Sequence, residues 1–291
     1  MPASPAHQPI IDWYAGHRRD LPWRHPDVGA WAVLVSEIML QQTPVNRVLP
    51  VYGAWMRRWP TPAALATEAP GEAVRVWGRL GYPRRALRLH EAAVAIDRRP
   101  DGQVPSPVAE LRLLPGVGEY TAAAVAAFAF RQRALVLDTN VRRVLARLFA
   151  GRQYPAATLT NAERARALEL LPDDPDVSAT WSVSVMELGA VICTASAPRC
   201  IQCPVSSQCS WRLAGYPAYD GPPRRRGQTY SGTDRQCRGR ILSALRDSDE
   251  PVPLAVIDAT WTHAPQRERA LASLLHDGLV VRRDKDAFAL P

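Results

Sequence analysis

The sequence has almost no lysine. Of its 36 basic residues 35 are arginine, and Lys285 stands alone. Covalent chemistry through a primary amine is thereby confined to Lys285 and the N-terminal amine. Long apolar runs are also missing. The longest, Ala122–Phe130, spans nine residues and ends at Arg131, far below the ~20 needed to cross a bilayer. The first twenty residues lack the basic flank, apolar stretch and small-residue cleavage site of a secretory signal, so the expected compartment is the cytoplasm. Internal repeats and convincing runs of alternating strand pattern are absent as well. Cysteine is scarce, and four of the five fall within seventeen residues. In a reducing compartment that clustering argues against a disulfide framework and for a metal site or catalysis.

What is present is an ordinary globular composition, 47% apolar and 22% charged over 291 residues. That length allows two or three modest domains, and a wholly disordered or fibrous chain is excluded. The formal charge of +8 favours a polyanionic partner, usually nucleic acid. Helical periodicity dominates residues 10–215, with helices expected at 31–40, 63–66, 73–80, 84–96, 108–113, 119–130, 140–149, 159–171 and 181–191. A stretch rich in Pro, Gly and Arg, 220–232, reads as a linker. Beyond it, 236–245, 253–259 and 266–277 read as helices and 279–290 as a hairpin turning at 284–286. Three helices and a hairpin suit a small winged-helix-like α+β module.

Cys193, Cys200, Cys203 and Cys209 follow C-x6-C-x2-C-x5-C. Four thiolates converging on one centre select zinc or iron–sulfur. A structural zinc usually pairs C-x2-C with a second short-spaced pair, so this single loop suits a [4Fe–4S] cluster better. The competing reading is four buried, unligated thiols. Cys237 lies outside the spacing and reads as a core or surface thiol.

Leu114-Pro115-Gly116-Val117-Gly118 joins two helices. Its glycines permit positive φ and close backbone approach, and the free N–H groups of the following helix can face a phosphate. This is the helix-hairpin-helix pattern of backbone contact without sequence readout, although an ordinary helix–helix turn has the same composition. Asp138 precedes a helix and suits an N-cap; a carboxylate 20 residues after such a hairpin also suits a place facing DNA, and the two roles are compatible. Glu37 lies in the apolar helix 31–40. If buried, its pKa rises by desolvation, the condition for a general acid at neutral pH; otherwise it belongs to the solvent face of an amphipathic helix.

Taken together, LPWR (21–24), SEIMLQQTPVNRV (36–48), WGRLGYPRRA (77–86), LPGVGEYTAAAV (114–125), LDTNVRRVLAR (137–147), MELGAVIC (186–193) and the four cysteines resemble adenine DNA glycosylases of the MutY type. These belong to the helix-hairpin-helix, iron–sulfur glycosylases that include endonuclease III. The resemblance covers residues 10–225. It implies a mainly α, two-lobed fold: a six-helix barrel over 27–133, an iron–sulfur domain from 1–26 with 134–225, and a linker with the winged-helix-like module over 226–291. It implies hydrolysis of the N-glycosidic bond of adenine mispaired with 8-oxoguanine or guanine in double-stranded DNA. The enzyme would act as a monomer, in base excision repair, on the nucleoid.

Role by role, the resemblance makes Glu37 the acid that protonates adenine N7 and later helps activate water. Asp138 stabilises the oxocarbenium-like sugar, Asn140 orients the carboxylates and Tyr120 supports the same transition state. Trp23 and Arg24 match the wall of the adenine pocket. Gln42 and Tyr82 match residues that intercalate around the opposite base, with Thr43 and Leu80 beside them, and Gly116, Val117 and Gly118 hold the backbone. The four cysteines would ligate a [4Fe–4S] cluster. Position 120 separates relatives: endonuclease III-type enzymes carry there a lysine that forms a Schiff base and cleaves the strand. Tyr120 therefore implies a monofunctional glycosylase.

Three departures stand out. Typical members continue into a Nudix-like domain of well over a hundred residues that helps recognise 8-oxoguanine, whereas about 60 residues of different pattern follow here. Damage recognition is then left to Gln42, Thr43, Leu80 and Tyr82 with help from the last module, whose Arg235, Arg238, Arg240, Arg282 and Arg283 suit DNA contact. The competing reading is a stabilising cap. Pro83 stands where many members have a second tyrosine, and Trp181-Ser182-Val183-Ser184 stands where F-N-Q/E-A is common, which leaves open an adenine contact made there. The alternatives are a mismatch thymine glycosylase of the same superfamily, opposed by Glu37 and LQQT, and a non-catalytic iron–sulfur regulator that binds DNA, opposed by the intact Glu37 and Asp138.

Overall fold

The computed structural model describes residues 4–221 and 230–291; the central part of the 220–232 linker lies outside the described residues. Among the described residues fifteen α-helices follow one another: α1 His7–His17, α2 Ala30–Leu40, α3 Val45–Arg58, α4 Pro62–Ala66, α5 Pro70–Trp77, α6 Arg84–Asp97, α7 Val108–Leu111, α8 Glu119–Phe130, α9 Thr139–Ala150, α10 Asn161–Glu169, α11 Pro175–Val191, α12 Ser210–Leu213, α13 Asp234–Arg246, α14 Leu254–Ala259 and α15 Ala264–His276. Strands β1 Val252–Pro253, β2 Val281–Asp284 and β3 Ala287–Ala289 form a small antiparallel sheet in the order β1-β3-β2. Among the described residues no helix is long and apolar enough to cross a membrane. The chain divides into two compact units, one of 1–33, 106–112 and 117–223, the other of 34–105, 113–116 and 224–291.

In the first unit α9 is amphipathic, and its apolar face (Val141, Val144, Leu148) packs with Ile10, Trp13 and Tyr14 of α1 and Trp181, Val185 and Leu188 of α11. Cys193, Cys203 and Cys209 rest against the same core, so the cysteine loop is anchored on it. α8 is apolar on every side and buries seven consecutive residues, Thr121–Ala127; a helix of that pattern is stable only when surrounded. The Trp181–Ser184 stretch belongs to this core: Trp181, Ser182 and Ser184 are buried, and the Trp181 ring meets His7 edge-on at 4.5 Å.

In the second unit three tryptophans, Trp55, Trp59 and Trp77, are fully buried in edge-to-face contact. α3 runs through Pro50 without stopping. Pro50 and Asn46 are both exposed, so the carbonyl that loses its helical partner meets water. The last sixty residues fold as three helices closed by the sheet, with Cys237, Ile241, Leu245, Ile257, Leu274 and Phe288 as their core. Cys237 is thus a core thiol. Gly71 Nα donates to Pro291 O at 2.7 Å, and a Cβ at Gly71 would stand 2.4 Å from that oxygen. Only glycine lets α5 receive this segment. Arg75 donates to Arg246 O and, at 3.0 Å, to Ser248 O, while Arg246 Nε donates to Val74 O at 3.2 Å.

Candidate active site

In the first unit Asp138 caps α9. Its Oδ1 accepts from Val141 N at 2.6 Å, and its Oδ2 accepts from Asn140 Nδ2 at 2.7 Å. Burial pushes the Asp138 carboxyl above the usual carboxylate range, against the pull of those two donors and of the Arg143 guanidinium. The N-cap role read from the sequence is therefore occupied, and both oxygens are fixed in direction. Asn140 is held in turn: its Oδ1 accepts from Arg143 Nη2 at 2.8 Å, and the same guanidinium donates to Gly189 O at 2.6 Å and Cys193 O at 2.7 Å. One hydrogen-bonded chain thus runs from Asp138 to the first residue of the cysteine loop. It requires α9 and α11 to approach closely, and a Cβ on Gly189 would stand 2.8 Å from Asn140 Cβ. Tyr120 lies in the first turn of α8, partly buried. Gly118 precedes that turn, and no side chain caps it.

Trp23 is buried and Arg24 nearly so. Both belong to a one-turn 3-10 helix, Pro22–Arg24. Arg24 Nη2 donates to Glu187 Oε2 at 2.9 Å, whereas its buried Nη1 has no hydrogen-bond partner among the described residues. A buried guanidinium nitrogen without an acceptor is costly, and it is the donor a bound base or sugar can use. Glu187 is a residue that the sequence reading missed. It is fully buried and gathers Arg24, Arg19 Nε and Nη2 at 2.7 Å each, and Arg19 N at 3.0 Å. Burial alone would raise its pKa, but Arg19 and Arg24 hold it down to about 2. A depressed carboxylate adds stability above its unfolded pKa and loses it as pH falls. The Glu187 contribution, about 3 kcal/mol at pH 7 from the shift, is expected to fall below half by pH 3. Urea unfolding of wild type and Glu187→Gln at both pH values checks this; an equal gap at pH 7 and pH 3 removes the assignment.

The cysteine loop leaves α11 at Cys193, makes two 3-10 turns, Cys200–Gln202 and Ser206–Gln208, and enters α12 after Cys209. All four cysteines line one cavity with Arg147, Ile192 and Trp211. Arg147, 1% exposed, is the second missed residue. Its guanidinium donates to Cys193 Sγ at 3.3 Å and Thr194 O at 2.7 Å and lies 4.6 Å from the Trp211 ring. Burial, joined by the neighbouring cysteines, pushes the Cys203 thiol up to about 11.

In the second unit Glu37 is 6% exposed on α2, so the solvent-face reading is excluded. The loop after α2 is pinned by Arg85. Its Nη1 donates to Ile38 O at 2.9 Å and Met39 O at 3.1 Å and also reaches Gln41 O, while its Nη2 donates to Thr43 Oγ1 at 2.9 Å and Gly81 O at 3.0 Å. Two loops are tied to one side chain, and each presents a residue in left-handed backbone. Gln42 has φ 55° and Tyr82 φ 48°; both are exposed, Tyr82 by 47%. Such backbone costs about 1–3 kcal/mol per non-glycine residue and gathers at functional sites. Leu80 and Thr43, in contrast, are buried. Gly116 has φ 79°, and a Cβ there would meet Arg88 Cβ at 3.0 Å. Leu113 beside it is 82% exposed.

Residues 35–169 match the HhH-GPD superfamily of base excision DNA repair proteins. The chain is 54% identical over 283 residues to an adenine DNA glycosylase of Mycobacterium tuberculosis, covering 97% of this chain and 92% of that one. The chain belongs to the adenine DNA glycosylase family. An adenine DNA glycosylase of Mycolicibacterium smegmatis is 53% identical across 97% of this chain and 94% of its own length. Among solved structures, a thermostable thymine-DNA glycosylase superposes with a TM-score of 0.63 at 29% identity, over 72% of this chain and 95% of that one. Family membership makes the chain a DNA glycosylase, an enzyme of base excision repair with the mainly helical fold of that superfamily.

Proposed function

We propose that the chain is a monofunctional adenine DNA glycosylase that removes adenine paired with 8-oxoguanine or guanine in duplex DNA, acting as a monomer in the cytoplasm on the nucleoid. The observation that carries this reading is the fixed carboxylate of Asp138, oriented by Asn140 and the N-terminus of α9. Cleaving the bond between adenine N9 and the sugar C1′ leaves cation character on the sugar, which needs an aimed negative charge. Asp138 supplies it. Glu37 protonates adenine N7, so the base departs neutral, and then takes a proton from the water that attacks C1′. Tyr120 supports the same charge from the first turn of α8. The unpartnered Nη1 of Arg24 and the Trp23 ring receive the extruded base. Gln42 and Tyr82 enter the duplex around the opposite base, with Thr43 and Leu80 supporting them from the core. Gly116, Val117 and Gly118 bring the N-terminus of α8 to a phosphate.

The residues present fit a [4Fe–4S] cluster held by Cys193, Cys200, Cys203 and Cys209. A structural zinc usually pairs C-x2-C with a second short-spaced pair, a spacing this loop lacks, and all four cysteines line a common cavity. When bound, the cluster supplies cross-linking that fixes the loop. Arg147 shields Cys193 Sγ, and Arg143 carries the loop's position to Asn140.

Single-turnover assays on 8-oxoguanine:A, G:A and G:T duplexes test the reading. Adenine release is expected, strand breaks are expected only after alkali, and borohydride should trap no adduct. The preparation should contain iron and acid-labile sulfide in equal amounts. Thymine release in place of adenine assigns the chain to the mismatch thymine glycosylases, and tight binding without release assigns it to non-catalytic regulators.

A further inference from the structure

An open groove of about 1040 Å³ lies within the second unit, walled by α13 on one side and by the α5–α6 turn and the start of α6 on the other. Nine arginines line it against a single acid, Asp277, a balance of +8. The whole chain's formal charge is also +8, so the remaining residues balance to zero. Positive charge of this density without local acids is stable only where it faces solvent ions or a polyanion. Some of it is already engaged: Arg84 and Arg238 pair with Asp277, Arg85 is committed to backbone carbonyls, and the half-buried Arg246 donates to Val74 O. Arg47, Arg79, Arg88, Arg235 and Arg240 are exposed, and no carboxylate pairs with any of them among the described residues.

The groove also has an aromatic mouth. Tyr82, exposed in left-handed backbone, lies under the Arg235 guanidinium at 4.8 Å, and Tyr230 lies 5.8 Å from the same group. Gly78, Gly81, Gly116 and Gly239 also line it. Cations along a channel with an aromatic ring at its entrance are the recognition chemistry of a nucleic-acid strand, phosphates in the channel and a base on the ring.

We propose that this groove is a binding site for the sugar-phosphate backbone of the DNA strand that Tyr82 enters. In this assignment the last sixty residues contribute Arg235 and Arg240 as phosphate ligands, and Arg235 is a positioning residue that holds the Tyr82 ring until DNA arrives. The proposal rests on the adenine-glycosylase reading for the identity of the duplex, but its test does not depend on base release. The probe is a duplex carrying 2′-fluoro-2′-deoxyadenosine, which resists cleavage, opposite guanine, and binding is followed by fluorescence anisotropy across a salt series.

For the double variant Arg235→Ala, Arg240→Ala, the slope of log K against log salt is expected to fall by about 2, with affinity about 30-fold weaker at 0.15 M salt. Arg235→Lys with Arg240→Lys is expected to restore the slope, because charge and not shape sets it. An unchanged slope in the alanine pair overturns the proposal. So does tripolyphosphate competing at concentrations comparable to the duplex, since it would assign the groove to small phosphates. A slope change in a protein that releases no adenine retires the catalytic reading and keeps the groove; normal release with no slope change does the reverse.

Discussion

Glu37→Gln is expected to lower single-turnover adenine release by about 10³-fold while duplex affinity stays within a few-fold of wild type. The change keeps the shape of a side chain that is 6% exposed on a helix whose neighbours are equally buried, so packing is conserved and the ionisable proton is lost. General acid catalysis contributes about 10²–10⁴-fold. The upper half of that range applies because protonation at N7 governs whether adenine departs at all, and a carboxamide cannot later accept the proton of the attacking water. Asp138→Asn acts differently. The Asp138 carboxylate accepts from two donors, and an amide in its place turns an NH₂ towards one of them, so its effect mixes lost charge with disturbed capping. Glu37→Gln is the cleaner experiment. A rate within tenfold of wild type would remove Glu37 as the acid and leave electrostatic stabilisation at Asp138 as the main catalytic contribution.

Local chemistry accounts for what was legible in the sequence. The α8 segment reads as a helix over 119–130, and the structure forms it there and buries it from Thr121 to Ala127. Asp138 reads as a cap because it precedes Thr-Asn-Val, and its side chain accepts from Val141 N. The hairpin near residue 285 follows from Asp284-Lys285-Asp286 between two apolar runs, and β2 and β3 flank that turn. Two helices were harder. α11 begins at Pro175, six residues before the apolar pattern starts at Trp181, because Asp174 caps it and Pro175 fits its first turn. α3 was hidden by Pro50, which reads as a breaker yet is tolerated on an exposed face.

The residues that escaped notice share a reason. Arg147, Glu187 and Arg85 act on groups far away in sequence: Arg147 on Cys193, Glu187 on Arg19, and Arg85 on Ile38. In a chain with 35 arginines nothing local separates a buried, structural guanidinium from one that faces solvent. Gly189 escaped for a related reason, since its need for no side chain comes from Asn140 on another helix. Composition gave the total charge of +8, but only folding gathers it along one groove.

Arg85→Ala is expected to destabilise the second unit by about 4 kcal/mol and to slow base release beyond what weakened binding explains. The guanidinium serves four carbonyls and the Thr43 hydroxyl and lies 5.1 Å from the Trp77 ring. Burial lowers its pKa to about 10, so it stays charged at neutral pH, and charge-assisted bonds of this kind contribute about 1.5–3 kcal/mol each before desolvation is subtracted. Alanine withdraws this donor from all five acceptors, of which Gly81 O keeps Trp77 Nε1 at 3.0 Å and Gln41 O keeps Thr43 Oγ1 at 3.3 Å. Two of them are the carbonyls of Ile38 and Met39 at the end of α2, the helix that carries Glu37, and such terminal carbonyls need an outside donor. The other consequence concerns Gln42 and Tyr82. Their left-handed backbone is held because Arg85 ties the loop at Gln41 and Thr43 to the turn at Gly81, and without that tie both residues relax toward ordinary φ. Arg85→Lys keeps the charge but not the fork, since one ammonium cannot reach both loops; it is expected to recover less than half of the lost stability and little of the rate. Urea midpoints report the first effect, and release at saturating enzyme reports the second. Full recovery by lysine would show that charge alone matters at this position and would break the link from Arg85 to the strained backbone at Gln42 and Tyr82.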